Sequence, residues 1–166
     1  MTPRRILIAG IGNIFLGDDA FGVEVLQKLW QRSLPIGVEA IDFGIRGFDL
    51  ACAIMGSYEA VILVDAVSRG RAPGTLYVIE PAVGEPSTTG SLAAIGGHSL
   101  TPDHVLRCVQ ALDVRLPPVY IVGCEPVSFG SEEDPQMGLS PVVTEAVERA
   151  VELIDSLLGD MTARRC

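Results

Sequence analysis

The stretch Ala60-Val61-Ile62-Leu63-Val64-Asp65 constrains this chain more than any other: an unbroken apolar run, rich in β-branched side chains, closing on an acid. A strand at a sheet surface alternates apolar and polar residues, because successive side chains point to opposite faces. A run that is apolar at every position must be covered on both faces, which is the situation of a strand inside a parallel sheet flanked by helices. Arg5-Ile-Leu-Ile-Ala-Gly10 is a second run of this kind, and Val119 to Gly123 a third. Val38 to Asp42 reads as another strand ending in an acid. Thr75 to Glu80 reads as a fifth, with an alternation too weak to fix its direction.

Helical spacing fills the intervals. Val23, Val25, Leu26, Leu29 and Trp30 give an apolar face to a helix from about Ala20 to Arg32, with Asp18 placed to cap it. Phe48 to Met55 is a short helix after the glycine-bearing loop Phe43 to Gly47. Thr101, with Pro102 at the first helical position, caps a helix reaching about Leu112. A last amphipathic helix runs from about Pro141 to Leu158. Strands alternating with helices predict an α/β fold: a single three-layer domain with a mostly parallel, twisted five-stranded sheet and helices on both faces. One domain spans 1–166, its core about 4–158, and the tail 159–166 is expected to fray.

Composition narrows the function classes. A net charge of −9 over 166 residues gives no electrostatic reason to approach nucleic acid or an anionic membrane. No segment approaches the ~20 continuous apolar residues of a membrane span. Arg4-Arg5 ahead of an apolar run has a superficial likeness to an export signal, but Gly10, Gly12 and Asp18-Asp19 interrupt it, so a cytoplasmic protein is expected. Cys52, Cys108, Cys124 and Cys166 form no C-x-x-C pair, which argues against a structural zinc site and for reduced thiols.

In a parallel sheet, ligands bind at the carboxyl ends of the strands. The acids fall there: Asp18 and Asp19 after the first strand, Asp42 after the second, Asp65 after the third. The loop Gly10-Ile-Gly12-Asn13-Ile-Phe-Leu-Gly17 invites a dinucleotide reading. Phe15 stands where that fingerprint needs its third glycine, however, and Asp18-Asp19 would repel a pyrophosphate at the helix N-terminus. Of the two histidines, His98 follows Gly96-Gly97 at the end of the long loop Pro81 to Gly97, just ahead of a capped helix, where a ligand or general base can stand. His104 lies on that helix, in a solvated or supporting position. Taken singly, each group has a plainer reading: Asp65 and Asp42 can close turns, and His98 can be an ordinary surface histidine. Together, two carboxylates and an imidazole match a mixed oxygen and nitrogen site for nickel, zinc or a related divalent ion. No G-x-S-x-G elbow is present, and the cysteines lack a catalytic setting.

These residues occur in an order that resembles the [NiFe]-hydrogenase maturation endopeptidases. The likeness runs from Ile6 to about Leu158: Gly10-Ile-Gly12-Asn13, Gly17-Asp18-Asp19-Ala-Phe-Gly22-Val23, Asp42-Phe-Gly44 with Gly47, Val64-Asp65-Ala66, Pro73-Gly74-Thr75, His98-Ser-Leu100 and Gly138-Leu139-Ser140-Pro141. The resemblance implies an endopeptidase that removes a short C-terminal extension from the hydrogenase large-subunit precursor once nickel has been inserted, the metal being carried by the substrate and no nucleotide cofactor being needed. It also implies that the metal-contacting residues are Asp19, Asp65 and His98. The first is a glutamate in some members and one methylene shorter here, which retunes its reach. Asp42 is a further candidate for positioning peptide or water. Arg46 can pair with Asp42 or a substrate carboxylate, and Val127 to Gly138 with Pro81 to Gly97 can line a peptide groove. Two other classes remain open: a nickel-sensing chaperone or scaffold that binds the precursor without cutting it, and a nucleotide-binding α/β module.

Overall fold

β1 (Ile6–Ile11) and β3 (Ala60–Ala66) are buried at every position, as their unbroken apolar sequences require. The computed structural model describes residues 4–81, 101–131 and 133–163. Within it, β1 and β3 form the centre of a five-stranded sheet ordered β2-β1-β3-β5-β4, where β2 is Val38–Gly44, β4 Leu76–Ile79 and β5 Val119–Cys124. The β1–β2, β1–β3 and β3–β5 pairs are parallel. β4 lies antiparallel on β5 at the edge. That settles the direction the sequence left open: the turn from Ser68 to Thr75 is too short for a crossover, so β4 cannot run parallel to the strands it joins.

Helices cover both faces. α1 (Phe21–Trp30) and α4 (Pro141–Ala163) pack on one, around Ile8, Ile62, Val64 and Val122. α2 (Gly47–Ile54) and α3 (Pro102–Gln110) pack on the other, around Leu7, Ala9, Leu63 and Ile121. The result is the predicted single α/β domain in three layers. The Thr101 cap on α3 is present, its side chain accepting from the His104 N–H at 3.3 Å. No helix among the described residues is long and apolar enough to cross a membrane.

Two local expectations are corrected. α4 continues through Gly159 to Ala163, where fraying was expected. Leu158 and Met161 are buried against the core, and the Arg4 guanidinium donates to the Met161 carbonyl at 2.6 Å, so tertiary contacts hold the last turns. Asp18 caps no helix: it opens a 3-10 turn (Asp18–Ala20), and neither that turn nor α1 has a side-chain cap at its start.

β1 and β3 lie side by side, but the chain leaves β1 for β2 on one flank and returns to β3 on the other. This is the topological switch point, where parallel sheets bind ligands. α1 begins directly above it. Gly22 sets how closely: a Cβ there would lie 2.2 Å from the Val64 carbonyl oxygen and 2.3 Å from that of Ile11. Because those neighbours are strand backbone, Gly22→Ala is expected to lower unfolding stability by about 2–3 kcal/mol. Gly159, on the exposed side of α4 with nothing near its would-be Cβ, is the opposite case. Gly159→Ala is expected to add about 0.5–1 kcal/mol by restricting the unfolded chain. Urea midpoints of the two variants check both signs.

Candidate active site

The 3-10 turn that opens α1 carries Asp19, and its seat is cut closely. Gly12, with φ 140°, has no room for a side chain: a Cβ would stand 1.8 Å from the Asp19 carbonyl oxygen. The glycines of this loop thus serve the packing of the turn onto the sheet edge, not a pyrophosphate. Asp65 stands at the carboxyl end of β3, opposite Gly123 of β5, and is buried at 4% exposure. The turn packs on β3, and the two carboxylates are near enough for one charge to act on the other.

Their electrostatics follow from this placement. Burial pushes the Asp65 carboxyl well above the usual range and the neighbouring charge of Asp19 pushes it further, against the pull of the Ala66 N–H. Burial also raises Asp19, which is half-buried, while the Asn13 N–H, donating to Asp19 Oδ2 at 2.8 Å, opposes the rise. A pair of acids set together in a low-dielectric site holds protons or welcomes a cation.

Beside Asp65 opens a cavity of about 770 Å³, walled by Val67, Ile79, Leu106, Ile121 and Phe129, with Thr101 and Arg107 also in its lining. Phe129 brings the segment after β5 to this cavity. Val127, Met137 and Gly138 instead line a separate depression around Asp18 and Ser140. His98 and the stretch 82–97 of the expected groove lie outside the described residues. Among those described, no group of three His, Cys, Asp or Glu side chains converges as a metal site. Asp42 lies at the same edge one strand beyond β1, where its Oδ1 accepts from the Gly44 N–H at 2.7 Å and closes its own turn. Arg46 donates to the Asp42 backbone carbonyl rather than its carboxylate, and it reaches Asp49 at 3.5 Å.

Sequence reasoning missed two acids. Asp18, 2% exposed, accepts from the Val127 N–H at 2.8 Å, the Ser140 N–H at 2.7 Å and the Ser140 hydroxyl at 3.0 Å. Glu125, 4% exposed, accepts from the Tyr77 hydroxyl, from the Arg69 N–H at 2.8 Å, the Gly70 N–H at 3.1 Å and the Ser68 hydroxyl at 3.3 Å. The Tyr77 hydroxyl, helped by backbone N–H groups, holds the Glu125 carboxyl down at about 2. Glu125 directly follows a buried strand, as Asp19 and Asp65 follow or close theirs. The same signal marks all of them, and only the partners separate a satisfied anchor from an open carboxylate.

An α/β domain with two neighbouring acids at its switch point, both with raised carboxyls, is a scaffold for hydrolytic or metal-assisted chemistry. The model of the hydrogenase maturation protease family matches residues 23–157. The hydrogenase 2 maturation protease of Escherichia coli (strain K12) is 33% identical over 158 residues, 94% of this chain and 92% of its own length. Among solved structures, the hydrogenase maturating endopeptidase HybD from E. coli superposes with a TM-score of 0.71 at 32% identity, covering 95% of this chain and 93% of that one. A hydrogenase 2 maturation peptidase from Thaumarchaeota archaeon SCGC_AB-539-E09 gives a TM-score of 0.66 at 33% identity, with 94% and 99% covered. The chain belongs to the hydrogenase maturation protease family, whose members are hydrolases of the endopeptidase type.

The raised Asp65 carboxyl makes a signed prediction. The folded state binds this proton more tightly than the unfolded chain does, so stability falls as pH rises from the free aspartate value of about 3.9 toward the raised folded one. Asp65→Asn keeps the shape and removes the charge. It should therefore melt a few degrees higher than the unsubstituted protein at pH 7, with the gap closing as pH falls toward 4. A thermal melt series across that range checks the sign.

Proposed function

We propose that this chain is an endopeptidase that removes a short C-terminal extension from the nickel-loaded large-subunit precursor of a [NiFe] hydrogenase, working in the cytoplasm. The observation that carries this reading is the Asp19–Asp65 pair at the switch point of a member of the maturation protease family. The nickel belongs to the substrate. Two carboxyls set together, Asp65 buried and Asp19 half-buried, suit a divalent cation, whose charge takes the place of protons on them. With an imidazole, they make the mixed oxygen and nitrogen donor set that nickel accepts.

His98 is proposed as that imidazole. It precedes Thr101 by three residues, and three residues of backbone reach at most about 11 Å. Thr101 lines the same cavity as Asp65, which supports the choice of His98. Metal held there can polarise the scissile carbonyl or activate water, while Asp42 orients peptide or water from the neighbouring strand end. The surroundings fit a protein substrate. Ile14, Phe15, Ile45 and Phe129, on loops, and Phe48, in the first turn of α2, are exposed, an apolar rim suited to a folded partner.

The test is to incubate the protein with nickel-loaded precursor and to read the C-terminal mass. The unsubstituted protein should remove a short peptide only when nickel is present. Asp19→Asn, Asp65→Asn and His98→Ala should each slow cleavage by roughly 100-fold or more. Cleavage untouched by all three would reject the site assignment, and binding with no change of mass would favour the scaffold reading.

A further inference from the structure

We infer that Asp18 is a positioning residue: it pins the turn carrying Asp19 to the segment ahead of α4 and so fixes where the Asp19 carboxyl stands beside β3. The kinetic part of this inference rests on the proposed function; the geometric part does not.

Asp18 and Asp19 are consecutive on one 3-10 turn and are used in opposite ways. Asp18 spends both oxygens on protein donors: Oδ1 on the Ser140 N–H, Oδ2 on the Val127 N–H and the Ser140 hydroxyl. These donors come from the far end of the chain, just after β5 and just before α4. Asp19 has the Asn13 N–H on Oδ2 and is otherwise turned toward a second carboxylate. A three-residue helical turn has little stiffness of its own, so what holds Asp19 beside β3 has to come from outside the turn.

The restraint arrives from both sides. Ahead of the turn, the backbone is gripped in a short ribbon: the Gly17 N–H donates to the Gln136 carbonyl at 2.8 Å, the Gln136 N–H to the Phe15 carbonyl at 2.9 Å and the Gly130 N–H to the Leu16 carbonyl at 3.1 Å. Asp18 supplies the side-chain half. A carboxylate with three donors is the strong kind of anchor, since the hydrogen bonds are charge-assisted. Ser140 is itself fixed, because its carbonyl accepts from the Thr144 N–H at 2.9 Å in the first turn of α4. The longest helix of the fold thus serves as the abutment for Asp19.

Asp18→Asn and Ser140→Ala separate positioning from plain stability. Asparagine presents an amide donor to at least one N–H that now donates, whereas Ser140→Ala removes only the hydroxyl and leaves both backbone donors. The local reporter is the Asn13 amide, whose proton is held by Asp19. In Asp18→Asn its hydrogen exchange should speed up by about tenfold or more, with the amides of Ile62 and Leu63 in β3 unchanged. On nickel-loaded precursor, kcat should fall about tenfold or more while KM stays within about threefold. Ser140→Ala should show the same pattern, weaker. Unchanged Asn13 exchange in Asp18→Asn overturns the inference, as does faster exchange that spreads equally to Ile62 and Leu63. If Asp18→Asn does not fold, Ser140→Ala decides by the same readouts. Absence of cleavage by the unsubstituted protein would sink the proposed function instead, and the Asn13 reporter would still judge the positioning.

Discussion

Bringing Asp19 up to Asp65 is the contact on which the rest of this structure depends. Two carboxyls stand side by side, one of them at the buried end of a strand, so ionising both costs free energy. Nothing in the local sequence favours that arrangement. It is imposed by backbone that has no side chain at Gly12 and Gly22, so that the first turn of α1 lies directly on β1 and β3. The glycine-rich loop looks like a phosphate cradle because both devices need close backbone approach. Here the close approach delivers an acid.

A site with that cost needs surplus stability elsewhere, and the fold provides it in two forms. The sheet is covered on both faces by apolar clusters that run its length, α1 and α4 on one side and α2 and α3 on the other. Polar groups that are buried are also satisfied: among the described residues no buried side-chain nitrogen or oxygen lacks a partner. Asp18 and Glu125 illustrate the rule. Both are as buried as Asp65, yet each is surrounded by donors, and Glu125 is held down at about 2 while Asp65 is driven upward. Burial dominates at Asp65, whereas at Glu125 the Tyr77 hydroxyl, helped by backbone N–H groups, outweighs it.

The same contrast explains how much of the molecule could be read from its sequence. The five strands, the α/β class and the convergence of Asp19 and Asp65 follow from apolar runs that end in acids. That pattern is local and strong, because a strand buried on both faces leaves no freedom in its composition. What escaped was non-local. Asp18 looks like a helix cap because it stands just before a helical pattern, and only the fold brings Val127 and Ser140 to it. Glu125 looks like loop because its donors lie on Ser68, Arg69, Gly70 and Tyr77, more than forty positions away. The end of α4 looks like a tail because helix propensity drops at Gly159, whereas the burial of Met161 in the core and the Arg4 guanidinium hold it. His98 rests on its motif and its tether to Thr101 alone.

The division of labour between the two adjacent acids bears on how such a site can respond to a metal it does not own. A permanent metal site can be held in shape by its ion. One that meets the ion only with the substrate must keep its shape before the ion arrives. The protein therefore needs a restraint that is independent of the metal, and the restraint has to act on the backbone of the turn, since any donor placed on Asp19 itself would compete with the incoming cation. Asp18 meets both conditions. It binds the turn through its own side chain and leaves Asp19 with the Asn13 N–H. On the proposed reading, neighbouring aspartates with identical chemistry are thus split by geometry into one that is saturated with hydrogen bonds and fixed, and one that is starved of them and available.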